Sequence, residues 1–292
     1  MEFLLLFFFF LLGLCVGSFL NVVIYRLNLP LSQKFRPRQG KTLRVEYPKP
    51  EGLGNWRGLV RGRSYCDYCQ KQLAWFDNIP LLSFILLRGR CRYCRQPISW
   101  QYPAVELTTG LVTVLVFLLS GYGLRVTGYE LLISYCLIAI FVSDLRYQII
   151  PDQVIYPAVG ATLFYRLFCC SVHLAGVPSP TCEVSFWNYL LTGLGSMGFF
   201  LFLYLITRRK GMGLGDVKLA FLMGLLLGWP KILVALYFAF LTGALVGVIL
   251  ILLGKKKFGQ QIPFGPFLVG GTFISWFWGE KILSYLSYLG YL

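Results

Sequence analysis

Two aspartates stand where an apolar chain has little reason to put them. Asp144 closes the apolar run ISYCLIAIFVS, and Asp216 sits inside GMGLGDVKL, Gly211 to Leu219, between Arg208-Arg209-Lys210 and a further apolar segment. A carboxylate at the edge of hydrocarbon costs on the order of several kcal/mol unless it is paired or solvated, so such residues are functional candidates. Two carboxyls brought together share one proton, because like charges at close range push one pKa up and the other down. One ionised and one protonated group can activate water and protonate a leaving amine, which is the chemistry of an aspartic peptidase. The glycines of the second motif fit: Gly211, Gly213 and Gly215 can supply positive φ and let a substrate backbone approach. Gly213, Gly215 and Lys218 are therefore expected to support the turn and the substrate. A dinucleotide loop does not fit, since the spacing is not GxGxxG.

A second constellation is made of cysteine. Cys66-x2-Cys69 and Cys91-x2-Cys94 are separated by 21 residues, the spacing of paired knuckles around one tetrahedral zinc. The flanking Arg63, Lys71, Arg88, Arg90, Arg92 and Arg95 would moderate the charge of four thiolates. Disulfides compete with this reading only in an oxidising compartment. The other cysteines, Cys15, Cys136, Cys169, Cys170 and Cys182, lie in or near apolar spans. Cys182 can pair with Cys169 or with Cys170, and the sequence leaves the choice open. His173 is the only histidine and falls in the opposite loop, and neither GxSxG nor HExxH occurs, so histidine-based hydrolysis is excluded.

Hydrophobic residues make up 57% of the 292 and charged residues only 13%, against roughly 25% charged in a soluble domain. This predicts an all-α integral membrane protein. A span needs about 20 apolar residues, and eight are read: 3–25, 103–120, 128–143, 153–170, 187–207, 216–229, 231–253 and 263–282. The first is too long in its apolar stretch, and lacks the basic start, for a cleaved signal peptide. The net charge of +15 could suggest nucleic acid, but the basic residues fall on one side. Residues 26–102 carry 15 Lys and Arg against four acidic residues, the 208–218 region and Lys255-Lys256-Lys257 fall on the same side, and the intervening loops hold little charge. The positive-inside rule then puts the N-terminus outside and the large loop and both aspartates in the cytoplasm. The expected organisation is a first span at 1–25, a cytoplasmic zinc-knuckle loop at 26–102 and a membrane core at 103–292.

Other polar residues receive plainer readings. Glu106 and Asp152 open spans and read as helix N-terminal carboxylates. Ser18, Asn21 and the IPFGPFLVGG turn, Ile262 to Gly271, read as packing and turn residues. The competing function is a proton-coupled transporter using the paired carboxylates, which should carry an internal repeat with broken spans; none is found.

GSFLNVVIYRL at 17–27, the paired CxxC knuckles, DNIPLLS at 77–83, ISWQYPAVE at 98–106, Asp144 with IIPD, GMGLGDVKL and IPFGPF together resemble the bacterial type IV prepilin peptidases, in order and across nearly the whole chain. The resemblance implies a GxGD aspartic peptidase of the inner membrane with Asp144 and Asp216 as its catalytic pair. Its substrates would be prepilins and pilin-like secretion subunits, cut after a glycine. It also implies N-methylation of the new N-terminus from S-adenosylmethionine. The resemblance associates the Leu87-Arg88-Gly89-Arg90 turn with that transfer, so Gly89 is the candidate there. Lipid and prepilin are the expected partners, and nucleic acid is not.

Overall fold

The computed structural model describes residues 2–27, 64–66, 68–69, 71–120, 124–174, 186–207, 212–254 and 263–288. The 28–60 segment, Arg63, Arg208 to Gly211, Cys182 and Lys255 to Lys257 lie outside them. Among the described residues eight long helices occupy the expected positions: α1 Glu2–Leu27, α3 Gln101–Leu119, α4 Leu124–Tyr147, α5 Asp152–Leu174, α6 Phe186–Ile206, α7 Leu214–Leu227, α8 Lys231–Leu252 and α9 Gly265–Tyr288. Between α1 and α3 come a short 3₁₀ turn, Trp75–Asn78, and the five-residue α2, Leu82–Leu86. Six of the eight, all but α7 and α9, are long and apolar enough to cross a membrane by length and composition.

The chain forms two compact units, Met1–Thr127 and Gly128–Leu292. The helix read as the start of the core, α3, instead packs with α1 in the first unit. A Cβ on Gly17 would stand 2.8 Å from the Glu106 Cα, so the absence of a side chain there is what allows the close approach. Phe9 stacks on Phe117 with ring centroids 3.9 Å apart. The Asn21 amide donates to the Tyr102 carbonyl at 3.1 Å, tying the two helices at their polar end.

In the second unit α7 is the hub. Its residues 216, 217, 219, 220 and 222–227 are all buried, the pattern of a helix that is apolar all round and enclosed by others. At 14 residues it is about 21 Å long and falls short of the roughly 30 Å of hydrocarbon. Its far end therefore stops among its neighbours, where unpaired carbonyls need donors. Arg166 of α5 supplies one, donating to the Leu226 carbonyl at 2.6 Å while lying 3.6 Å from the Tyr189 ring centroid. The Asn188 Oδ1 accepts from the Trp229 amide at 2.8 Å just beyond. The Ser196 hydroxyl donates to the Ala220 carbonyl at 2.8 Å and fastens α6 along α7. Cys169 is disulfide-bonded, whereas Cys170 is a free thiol.

Candidate active site

Asp144 and Asp216 come from different helices of the same unit and are both buried, with 6% and 8% of their surface exposed. Asp144 lies in the last turn of α4, and Asp216 in the first turn of α7. The charge of Asp144 acts on Asp216, so the two carboxyls share one environment. Each is held by one backbone amide. The Asp216 Oδ2 accepts from the Gly213 N–H at 3.2 Å, the return bond of a carboxylate at the third position of a helix. The Asp144 Oδ2 accepts from the Gly265 N–H at 3.0 Å, 121 residues away in sequence.

Gly265 is the functional residue that sequence reasoning missed. It opens α9, so its amide is one of the unpaired donors of a helix start and carries the favourable end of the helix dipole. A Cβ there would stand 2.5 Å from the Asp144 Oδ2, so only glycine lets the amide and carboxylate meet. Gly265 lies in IPFGPF, which reads in sequence as packing and turn residues and as one of the motifs of the resemblance, with nothing in it to name Asp144 as its partner.

The glycines of the second motif act otherwise than expected. Gly213 is the helix cap with φ −86°, in the extended region, and Gly215 is helical without a positive φ. Gly215 is needed for space: a Cβ would stand 3.0 Å from the Cβ of Ile150, so its bareness lets α7 start against the IIPD segment. Gly211 lies outside the described residues. Lys218 does not reach the aspartates. Its Nζ bonds the Asp152 Oδ1 at 2.6 Å, joining the start of α5 to α7, and lies over the Tyr156 ring. Asp152 begins α5 as expected of a helix N-terminal carboxylate.

In the first unit the four cysteines meet. The Sγ atoms of Cys66, Cys69, Cys91 and Cys94 all lie within 4.8 Å of one another, with Cys66 to Cys94 at 3.7 Å. A zinc with Zn–S of about 2.3 Å has tetrahedral S···S edges of about 3.8 Å, so the donor set fits. Each knuckle is closed by its own backbone bonds, Cys66 N–H to Lys71 O at 3.0 Å and Cys91 N–H to Gln96 O at 2.8 Å. Burial pushes the Cys66 thiol up to about 12. At Cys91 burial acts in the same direction, but the Cys94 and Tyr93 amides and the Cys66 thiol outweigh it and bring the value down to about 7. Four crowded sulfurs cannot all ionise without a cation among them, which is what a divalent metal supplies.

Two of the flanking basic residues are engaged with other side chains. Arg92 pairs with Asp77 at 2.8 Å and lies over Phe76, and Lys71 lies over Tyr93. Gly89 has φ +67°, a conformation that favours glycine, and a Cβ there would meet the Phe84 ring at 3.0 Å.

Glu106 is not a helix cap. It lies in the second turn of α3, is buried, and accepts the Leu81 N–H at 2.9 Å with the Ser18 hydroxyl against it. It thus ties α1 and the start of α2 to α3.

Buried carboxyls at the facing ends of two apolar helices are the arrangement a membrane peptidase of the aspartic class would need. The comparisons with known proteins agree with that class. Residues 11–120 match the Bacterial Peptidase A24 N-terminal domain, and residues 131–248 match the Type IV leader peptidase family; the two matches flank the boundary between the two compact units. The prepilin leader peptidase/N-methyltransferase of Aeromonas salmonicida (strain A449) is 35% identical over 95% of this chain and 92% of its own. The protein of the same name from Aeromonas hydrophila is 37% identical over 94% and 90%, and that from Pseudomonas aeruginosa 32% over 96% and 93%. No solved structure matches. The chain belongs to the type IV leader peptidase family and is a multi-pass membrane protein.

Proposed function

We propose that this protein is an aspartic endopeptidase of the bacterial inner membrane. It removes the basic leader from type IV prepilins and pilin-like secretion subunits and methylates the new N-terminus, with S-adenosylmethionine as methyl donor. The observation that carries the peptidase is the pair Asp144 and Asp216: two buried carboxyls from separate helices, each fixed through one oxygen by a glycine amide. One carboxyl, ionised, takes a proton from water as the water attacks the scissile carbonyl; the other, protonated, donates to that carbonyl oxygen. Breakdown of the tetrahedral species returns a proton to the leaving amine, and no acyl-enzyme forms. Gly213 and Gly215 shape the start of α7 around Asp216. Lys218, with Asp152, fixes that start against α5.

Cys66, Cys69, Cys91 and Cys94 would hold one zinc that braces the loop and takes no part in cleavage. The basic loop residues and the aspartates lie on the cytoplasmic side with the N-terminus outside; the disulfide at Cys169, near the opposite end of α5 from Asp152, is in keeping with an oxidising compartment there. A prepilin, with a cationic leader followed by an apolar helix, would then present its scissile bond at the depth of the aspartates. The test is to incubate purified protein with a prepilin peptide, with and without S-adenosylmethionine. Cleavage after the glycine, followed by methyl incorporation at the new terminus, is expected. A protein that binds the peptide without cutting it would overturn the reading.

A further inference from the structure

The polar end of α1 and α3 holds a second buried carboxylate that cleavage does not use. Glu106 is 8% exposed and Asn21 3% exposed, both within apolar helices. Ser18 and Asn21, three residues apart, share one face of α1. They meet Glu106 and Tyr102, four residues apart on α3, through the Ser18 hydroxyl and the 3.1 Å bond from the Asn21 amide to the Tyr102 carbonyl. That bond fixes the orientation of the Asn21 amide, because the reverse would set two oxygens against each other. The Asn21 Oδ1 is left buried with no hydrogen-bond partner. Glu106 receives the Leu81 amide at 2.9 Å with Ser18 close by, so most of its roughly four acceptor positions stay open. Among the described residues no cation is paired with it.

A buried carboxylate without a cation and a buried amide oxygen without a donor are both costly, and both ask for a group that only donates. We propose that Ser18, Asn21 and Glu106 form a subsite for a primary amino group in its ammonium form. This rests on the methyltransferase reading, under which two such groups must be handled: the amino-acid end of S-adenosylmethionine and the new N-terminus of the cut substrate. Both offer the same three donors to the same acceptors. Glu106 also holds the Leu81 amide at the start of α2, and the turn ending α2 leads to Gly89, whose amide bonds the Phe84 carbonyl at 2.8 Å. The subsite and the Gly89 turn are thereby linked through one short helix of the same unit.

The experiment uses the full chain in lipid nanodiscs and two variants, Glu106→Gln and Asn21→Leu. Equilibrium binding of labelled S-adenosylmethionine is measured directly. Separately, the affinity for a pre-cut pilin peptide with a free N-terminus is compared with that for its N-acetylated counterpart. Loss of one charge-assisted hydrogen bond is expected to weaken one ligand about tenfold to a hundredfold in Glu106→Gln, with cleavage and zinc content kept. If S-adenosylmethionine is the ligand weakened, the subsite takes its amino-acid end. If instead the preference for the free over the acetylated peptide disappears, it takes the new N-terminus. Should Glu106→Gln lose zinc and cleavage together, Asn21→Leu decides. A folded variant that binds both ligands as the wild type does overturns the subsite. A wild type that cuts but neither binds S-adenosylmethionine nor transfers methyl sinks the methyltransferase reading, and the peptide comparison still decides the subsite.

Discussion

The two units bury carboxylates in opposite ways. In the second, Asp144 and Asp216 lie among apolar helices, each gripped by a glycine amide, with the charge of Asp144 acting on Asp216. In the first, Glu106 has no cation beside it among the described residues; it is held by the Leu81 amide, next to an Asn21 amide oxygen that has no donor there. A pair can share and pass a proton, which is what hydrolysis needs. A lone carboxylate with spare acceptors offers a fixed seat for a donating group. The difference assigns bond cleavage to the second unit and the handling of the amine to the first.

Breaking one side without the other tests this division. The largest effect is expected from Cys66→Ser. Structural zinc carries about 10–16 kcal/mol of apparent binding energy, so the metal should be absent by elemental analysis and the 64–100 segment readily cut by added protease. Peptide cleavage by the aspartates should persist. Next is Asp144→Asn or Asp216→Asn, where loss of acid–base chemistry should lower cleavage about 10²–10⁴-fold in a protein that still holds zinc.

Gly265→Ala comes third. It leaves both carboxyls in the chain but puts a methyl group 2.5 Å from the Asp144 Oδ2, so the carboxylate must give way, and a misplacement of about 1 Å can cost about 10²-fold in rate. Unchanged kcat in this variant would show that the amide of Gly265 does not position Asp144. A smaller effect is expected from Gly89→Val. A left-handed residue with a side chain costs about 1–2 kcal/mol, so methyl transfer should fall about tenfold while cleavage is kept. The smallest is Lys218→Met, which breaks a partly exposed pair with Asp152. Such pairs contribute about 0–1 kcal/mol, so cleavage should change less than about fivefold.

Much of this was legible in the chain. All eight long helices begin and end within several residues of the expected spans, because hydropathy is a local property summed over many residues. The cysteine spacing anticipated the four-sulfur cluster for the same reason: each knuckle is a local turn. What escaped was contact between distant segments. Gly265 was unreadable as a partner of Asp144 because it acts through a backbone amide, which every residue but proline has. Glu106 was read as a cap from its place near a helix start, whereas its partners, Leu81 and Ser18, come from other elements. Gly213 and Gly215 were expected to supply positive φ and to let a substrate backbone approach; Gly213 instead caps a helix in an extended conformation, and Gly215 clears space beside Ile150.

The most direct test of the central claim is a paired assay of Asp216→Asn in nanodiscs. Cleavage is measured on an uncut prepilin peptide and methyl transfer on a pre-cut one. Cleavage should be lost while methyl transfer to the pre-cut peptide proceeds at the wild-type rate. Cleavage that persists in the folded, zinc-loaded variant would contradict the aspartate pair, and methyl transfer lost along with cleavage would contradict the division between the two units.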